Sequence, residues 1–217
     1  MGYRRENMTP AIVIDLDETL VTVNTFHHFM KFTAFSVAKR LHLFALLRIG
    51  VAAMLRAVRV SPHSAMKHTV MKIATLYLSK AQLLHFAVTI SSFSNPKVAL
   101  LINDAHCRHA KVILASAAPA LYASIIASLS GCDHCIATEM PKQMKLLECR
   151  NEQKRSRVCA YLDNENLALE AVVTDHYDDI PLIKECLLRG GKAILVAPDK
   201  RTTDKLKQQG ITSYSII

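Results

Sequence analysis

Two hydrophobic patterns alternate along the chain. Ala11 to Asp15 is a β-branched run that ends in an acid, as expected of a parallel strand buried on both faces with its C-terminal end open. Runs of the same kind recur at Lys111–Ala115, Ala171–Thr174 and Lys192–Ala197, with weaker ones at Cys135–Glu139, Met144–Cys149 and Tyr214–Ile217. Between them, helical periodicity predicts helices near Lys97–His109, Pro119–Leu129, Glu152–Leu162, Ile180–Arg189 and Thr202–Gln209. Gly190-Gly191 closes one helix before the next strand. This order predicts an α/β fold with a doubly wound, mostly parallel sheet.

Residues 24–94 interrupt the alternation. They read as four helical stretches punctuated near Gly50, Ser61-Pro62 and Ser79. The expected organisation is an α/β core of residues 1–23 and 95–217 carrying an inserted all-helical cap of residues 24–94. Placed directly after the first strand, such a cap lies over the sheet's C-terminal edge, where ligands bind in open α/β sheets.

Charge sharpens this division. From Thr19 to Asn103 there is no Asp or Glu, yet the segment holds ten Lys and Arg and six of the ten His. The chain's net charge of +9 therefore sits in the insert, and a segregated field of this kind favours an anionic partner. Lys and Arg are scattered singly among apolar residues and form no nucleic-acid-binding motif, so nucleic acid is not the expected partner. No uncharged run is long enough to span a bilayer, and the N-terminus lacks a signal-peptide pattern. The expected location is the cytoplasm, with peripheral contact at the inner face of the membrane as a further option. Six Cys are too sparse for a disulfide scaffold, and Cys132 and Cys135 lack a second pair at zinc-ribbon spacing, so incidental thiols are expected.

The chemistry concentrates at strand ends. Asp15 and Asp17 follow the first strand, and Asp175, Asp178 and Asp179 follow the strand at Ala171–Thr174. If those strands are neighbours, Asp15 and Asp175 converge. Convergent carboxylates repel unless a hard cation such as Mg²⁺ lies between them. One carboxylate can act as nucleophile while the other manages a proton. Ser116 ends the strand at Lys111–Ala115, and Lys154 starts a later helix. A nucleophile, an acid/base, a metal, a hydroxyl and an ammonium together suit phosphoryl transfer.

These stretches resemble the haloacid-dehalogenase-like (HAD) hydrolase superfamily, in the phosphoserine-phosphatase-like subgroup with a helical, C1-type cap on a Rossmann-type core. DLDETL is similar to its first motif, Ser116 in ILASAAP to the second and Lys154 in CRNEQK to the third. TDHYDDIPLI is similar to its GDxxxD motif, with Thr174 in place of the common Gly. The resemblance implies that Asp15 attacks phosphorus to give an aspartyl-phosphate and that Asp17 protonates the leaving oxygen and then activates water. Ser116 and Lys154 would hold the transferring group, with Thr19 and Asn24 as further substrate-side positions. Mg²⁺ would be held by Asp15, the Asp17 carbonyl and Asp175, with Asp179 orienting a metal-bound water or Lys154. Asp178 reads as a solvated loop residue.

An acid at position 17 favours a phosphatase over a dehalogenase, because an ester oxygen needs a proton to leave and a halide does not. Asn24 stands where phosphoserine phosphatases carry a Glu for the substrate ammonium, and the cap holds no carboxylate at all. The expected substrate is therefore an anionic phosphate monoester, small or lipid-linked. The alternatives are a phosphotransferase or mutase on the same site, or a silent membrane- or protein-binding module. Lys39–Val60 mixes Arg40, Arg48, Arg56 and Arg59 with apolar residues. It reads as a cap helix turning Arg to solvent or substrate, as an interfacial helix with its apolar face in the headgroup layer and Arg near lipid phosphates, or as a protein-docking face. His27-His28 reads as packed or solvated rather than phosphate-binding.

Overall fold

The structure, a computed structural model, describes residues 8–141 and 146–217. Six strands form one all-parallel sheet: β1 (Thr9–Ile14), β2 (Lys111–Pro119), β3 (His134–Thr138), β4 (Leu167–Thr174), β5 (Lys192–Leu195) and β6 (Ser215–Ile216). Their spatial order is β3-β2-β1-β4-β5-β6. The chain thus winds outward from β1 in one direction and then, from β4, in the other. The crevice at the C-terminal ends of β1 and β4 is the switch point of such a sheet. Register aligns Ile14 with Leu114 on one side and Val173 on the other, so Ser116, Asp15 and Asp175 emerge along one edge.

Helices cover both faces, which explains why the strands are apolar throughout rather than alternating. Ile12, Ile14, Val112, Leu114, Ala171 and Val173 point to one side and join α5 (Pro96–Cys107) and α6 (Ala120–Leu129) through Ile102, Tyr122 and Ile126. Val13, Ile113, Ala115 and Val172 point to the other. They join α7 (Asn151–Asn164), α8 (Ile180–Leu188) and α9 (Lys200–Gln208) through Val158, Leu162, Leu182, Ile183 and Leu206. Gly191 is required after α8, because a Cβ there would lie 2.7 Å from the Leu169 carbonyl oxygen and 2.8 Å from that of Glu170.

The insert comprises α1 (Thr25–Lys39), α2 (Leu43–Ala57), α3 (His63–Tyr77) and α4 (Lys80–Ser91). Its two ends are tied together at the root, where Thr22 N donates to Phe93 O and Asn95 N to Leu20 O, each at 2.9 Å. Phe26 and Phe29 of α1, Met66, Val70 and Ala74 of α3, and Phe86 and Ile90 of α4 belong to the same apolar cluster as the sheet. Only Val37, Ala45, Ile49 and Ile73 form a separate small core between α1, α2 and α3.

Three local expectations need correction. Gly50 does not break the insert, since it lies within α2; the chain turns instead at Leu41, with φ +57°, after α1 has ended at Lys39. Of the strand expected at Met144–Cys149, Met144 and Lys145 lie outside the described residues, and Leu146–Cys149 is irregular. The strand expected at Tyr214–Ile217 shortens to the two residues of β6.

Candidate active site

The switch-point crevice opens into a cleft of about 450 Å³ between the sheet edge and the insert. Asp15 continues β1, its N–H donating to Val173 O at 2.9 Å. The chain then turns sharply, with Glu18 in the left-handed region at φ +57° and Leu20 N returning to Asp15 O at 3.2 Å. This turn presents Asp15 and Asp17 to the cleft while burying Leu16 and Leu20.

Lys154 is the hub of the site. It sits in the first turn of α7, is 3% exposed, and donates to Asp15 Oδ1 at 2.6 Å and Asp179 Oδ2 at 2.7 Å. Burial opposes its charge, but Asp15 and Asp179 outweigh it and hold the ammonium above its ordinary pKa. Asp179 Oδ2 also accepts from Thr174 Oγ1 at 2.7 Å. Thr174, the departure from the family's usual Gly, therefore helps to orient Asp179. The same hydroxyl accepts from His176 N at 3.3 Å.

The other predicted residues sort themselves by their bonds. Asp17 Oδ1 accepts from Thr25 N at 2.6 Å, so the start of α1 fixes its orientation. Burial raises its carboxyl above the ordinary pKa, favouring the protonated acid. Ser116 is buried on β2 and lines the cleft, its hydroxyl accepting from Ala118 N at 3.1 Å. Asn24 lines the cleft while capping α1 through His27 N. Thr19 does not meet the substrate space: it is fully buried and donates to Asp175 Oδ1 at 3.0 Å, so it orients that carboxylate. Asp179, expected to orient a metal-bound water or Lys154, accepts from Lys154 and from Thr174. Asp178 is not a free loop acid, since it pairs with Arg150 and, at 3.0 Å, with His176 Nδ1. His27 and His28 are exposed.

The carboxylates are in excess of their partners. Burial pushes the Asp15 carboxyl up to about 7; Lys154 pulls it down, while Asp179 and Asp175 push it further up. Burial likewise brings Asp175 to about 6. One ammonium thus serves a group of three acids, an arrangement that a divalent cation would relieve. Among the described residues, no three His, Cys, Asp or Glu side chains group tightly enough to hold an ion by themselves. Asp15 and Asp175, which line the same cleft and of which the second pushes the first up by repulsion, are the carboxylates available to such an ion.

Sequence reasoning missed the insert's own contribution. Lys67 of α3 is 4% exposed, lines the cleft, and donates to Ala117 O at 3.1 Å. It also lies 3.2 Å from Glu148, which stands 3.9 Å from His63 Nδ1. Lys67 occurs in the sequence as one basic residue among ten, and its partners lie far along the chain, so no local pattern marks it. Arg150, half a turn ahead of α7, is likewise singled out only by its bond to Asp178. The Cys132 and Cys135 thiols are driven up to about 12 by burial, which leaves them protonated and inert.

A family model of haloacid dehalogenase-like hydrolases matches residues 12–184, and the chain belongs to this family. No curated protein matches the sequence. Among solved structures, a protein of unknown function from Bordetella pertussis Tohama I has a TM-score of 0.73 at 15% identity, covering 97% of this chain and 99% of that one. A HAD family hydrolase from Salmonella enterica serovar Typhi has a TM-score of 0.61 at 13% identity, covering 96% and 68%. A substrate-bound phosphoserine phosphatase has a TM-score of 0.58 at 14% identity, covering 98% and 94%. The α/β fold is therefore shared with these structures.

Proposed function

We propose that this hydrolase is a Mg²⁺-dependent phosphomonoesterase working through an aspartyl-phosphate on Asp15. One observation supports this reading above the others: Lys154 bridges Asp15 and Asp179 at the switch point, with Asp17 and Ser116 on the same cleft. A carboxylate oxygen of Asp15 attacks phosphorus, and the bond from phosphorus to the ester oxygen breaks. The departing oxygen takes a proton from Asp17, whose carboxyl burial raises above its ordinary pKa. Water then attacks the acyl-phosphate, Asp17 takes its proton, and inorganic phosphate leaves with Asp15 regenerated. Lys154 and the Ser116 hydroxyl offset negative charge on the phosphoryl oxygens throughout. Mg²⁺ held by Asp15, the Asp17 carbonyl and Asp175 would lower the repulsion between nucleophile and phosphate.

Asp17 also decides between the family's chemistries, because an acid beside the nucleophile suits an ester oxygen rather than a halide. The insert carries no carboxylate to meet a substrate ammonium, which disfavours an amino-acid phosphate, while Lys67 and Arg150 in the cleft are each already paired with an acid, Glu148 and Asp178. The test is p-nitrophenyl phosphate hydrolysis with Mg²⁺ and with a chelator, for wild type and Asp15→Asn. Metal-dependent turnover that Asp15→Asn lowers by roughly 1000-fold or more is expected. Turnover that ignores both chelation and the substitution would refute the reading.

A further inference from the structure

Helix α2 is turned inside out. Its inward side is Ala45 and Ile49, both buried, packed on Val37 and Ile73. Its outward side is formed by Leu43, Phe44, Leu47, Val51, Met54 and Val58. At about 100° per residue these six fall within a sector of roughly 100°. Phe44 is 72% exposed, Leu47 62% and Met54 58%. Leu41 and Val60 extend the apolar surface beyond each end of the helix. Water is a poor solvent for such a stripe, and contiguous apolar patches of this kind mark contact surfaces.

The sequence admitted a helix turning Arg to solvent, but the structure turns the apolar stripe outward and sets Arg beside it. Arg48 and Arg59 fall along one margin of the sector, and Lys39 and Arg40 precede the helix. Arg48 lies over the Phe44 ring at 6.0 Å. No acid occurs anywhere from Thr19 to Asn103. An apolar stripe flanked by cations without any anion is complementary to a surface that is apolar inside and negative at its rim. An anionic lipid bilayer is such a surface. A second copy of this chain is a worse fit, since a two-fold contact would set the same unneutralised Arg residues against each other. A protein partner is less favoured because the stripe, Phe44 apart, has no aromatic residue and lacks the Trp and Tyr that anchor protein interfaces.

We infer that the outer face of α2 lies in the headgroup layer of an anionic membrane, with its flanking Arg and Lys residues on lipid phosphates. None of the described helices is long and apolar enough to cross a bilayer, so the contact is peripheral. The loop 58–62 carries the chain from α2 to His63 and Lys67, which line the cleft. Docking through α2 therefore sets the cleft's insert-side rim close to the lipid surface.

The contact is read without turnover, so its failure is distinct from failure of the proposed activity. Wild-type protein is floated with vesicles of phosphatidylglycerol and phosphatidylcholine, and with phosphatidylcholine alone, at low and high salt. Two variants are compared: Leu47→Glu with Met54→Glu, and Arg48→Gln with Arg59→Gln. Circular dichroism checks that each is folded, as expected for substitutions at exposed positions. Wild type should float with the anionic vesicles at low salt and much less with phosphatidylcholine or at high salt. The Arg48→Gln, Arg59→Gln variant should lower the partition by roughly 30-fold, taking about 1 kcal/mol for each basic residue near the surface, and the Leu47→Glu, Met54→Glu variant should lower it as well. Absence of flotation with anionic vesicles at low salt would overturn the inference. So would unchanged flotation of the Leu47→Glu, Met54→Glu variant, or a concentration-dependent dimer without lipid that this variant abolishes.

Discussion

The sheet edge and the outer face of α2 treat charge and grease in opposite ways. At the sheet edge, ionised groups are buried, and Lys154, Asp179 and Asp175 each have a named partner. On α2, apolar side chains are exposed, and the nearby cations have no acid in their own segment. Burial makes each bond at the sheet edge consequential, because an orphaned charge there has no water to turn to. Exposure makes the α2 face nearly free of consequence for folding. Two surfaces of one molecule thus separate what positions chemistry from what meets a partner.

The largest expected effect falls on the hub. Lys154→Met should reduce turnover by at least about 100-fold, since it removes charge stabilisation from the phosphoryl group. It should also cost on the order of 3 kcal/mol in urea unfolding, because Asp15 and Asp179 lose their cation. A variant as stable as wild type would mean that the buried pair is not tightly held.

On the insert, Ile49→Ala should cost about 2 to 4 kcal/mol by opening a cavity in the small core with Val37 and Ile73. Leu47→Ala, two residues away on the outward face, should change stability by less than about 0.5 kcal/mol. Paired denaturation curves check this contrast, and equal costs would erase the distinction between the two faces of α2.

Acidity probes the sheet edge through Asp15, at about 7, and Asp175, at about 6, both above the ordinary 3.8. The folded metal-free protein keeps protons that the unfolded chain releases first. Its stability should therefore fall as pH rises from about 4 to about 7. Added Mg²⁺ favours the ionised carboxylates, so it should raise the melting temperature more at pH 8 than at pH 5. Thermal melts with and without the metal read this directly; a Mg²⁺ effect that is larger at pH 5 would contradict it.

A more modest effect at the sheet edge is expected at Thr174. Thr174→Val removes the hydroxyl that Asp179 accepts, and should cost about 1 kcal/mol with a modest loss of turnover. Thr174→Ser should recover both, because it restores the donor.

Much of this was legible in the sequence. The strands β1, β2, β4 and β5 announce themselves because both faces of the sheet are covered, leaving uninterrupted apolar runs. Asp15, Asp17, Ser116, Lys154, Asp175 and Asp179 stand at the ends or starts of such elements, where topology alone brings them together. Lys67 was not legible, since its bond to Ala117 spans 50 residues and its helix looks like any other basic amphipathic stretch. The role of Thr25 was hidden for a different reason: its backbone N–H, not its side chain, holds Asp17. The turn at Leu41 was missed because Gly50 seemed the better helix breaker, yet nothing crowds Gly50 within α2. The orientation of α2 was one of several sequence readings, because an apolar stripe ordinarily faces the core and only the packing of Ala45 and Ile49 decides which side is inward.

The most direct measurement is chemical trapping of the intermediate. Wild-type protein turning over a phosphate monoester with Mg²⁺ is quenched with borohydride, which reduces an acyl-phosphate to an alcohol, and its peptides are read by mass spectrometry. Conversion of Asp15 to homoserine, and of no other acid, is the predicted result. Sustained turnover with Asp15 unmodified would contradict the account.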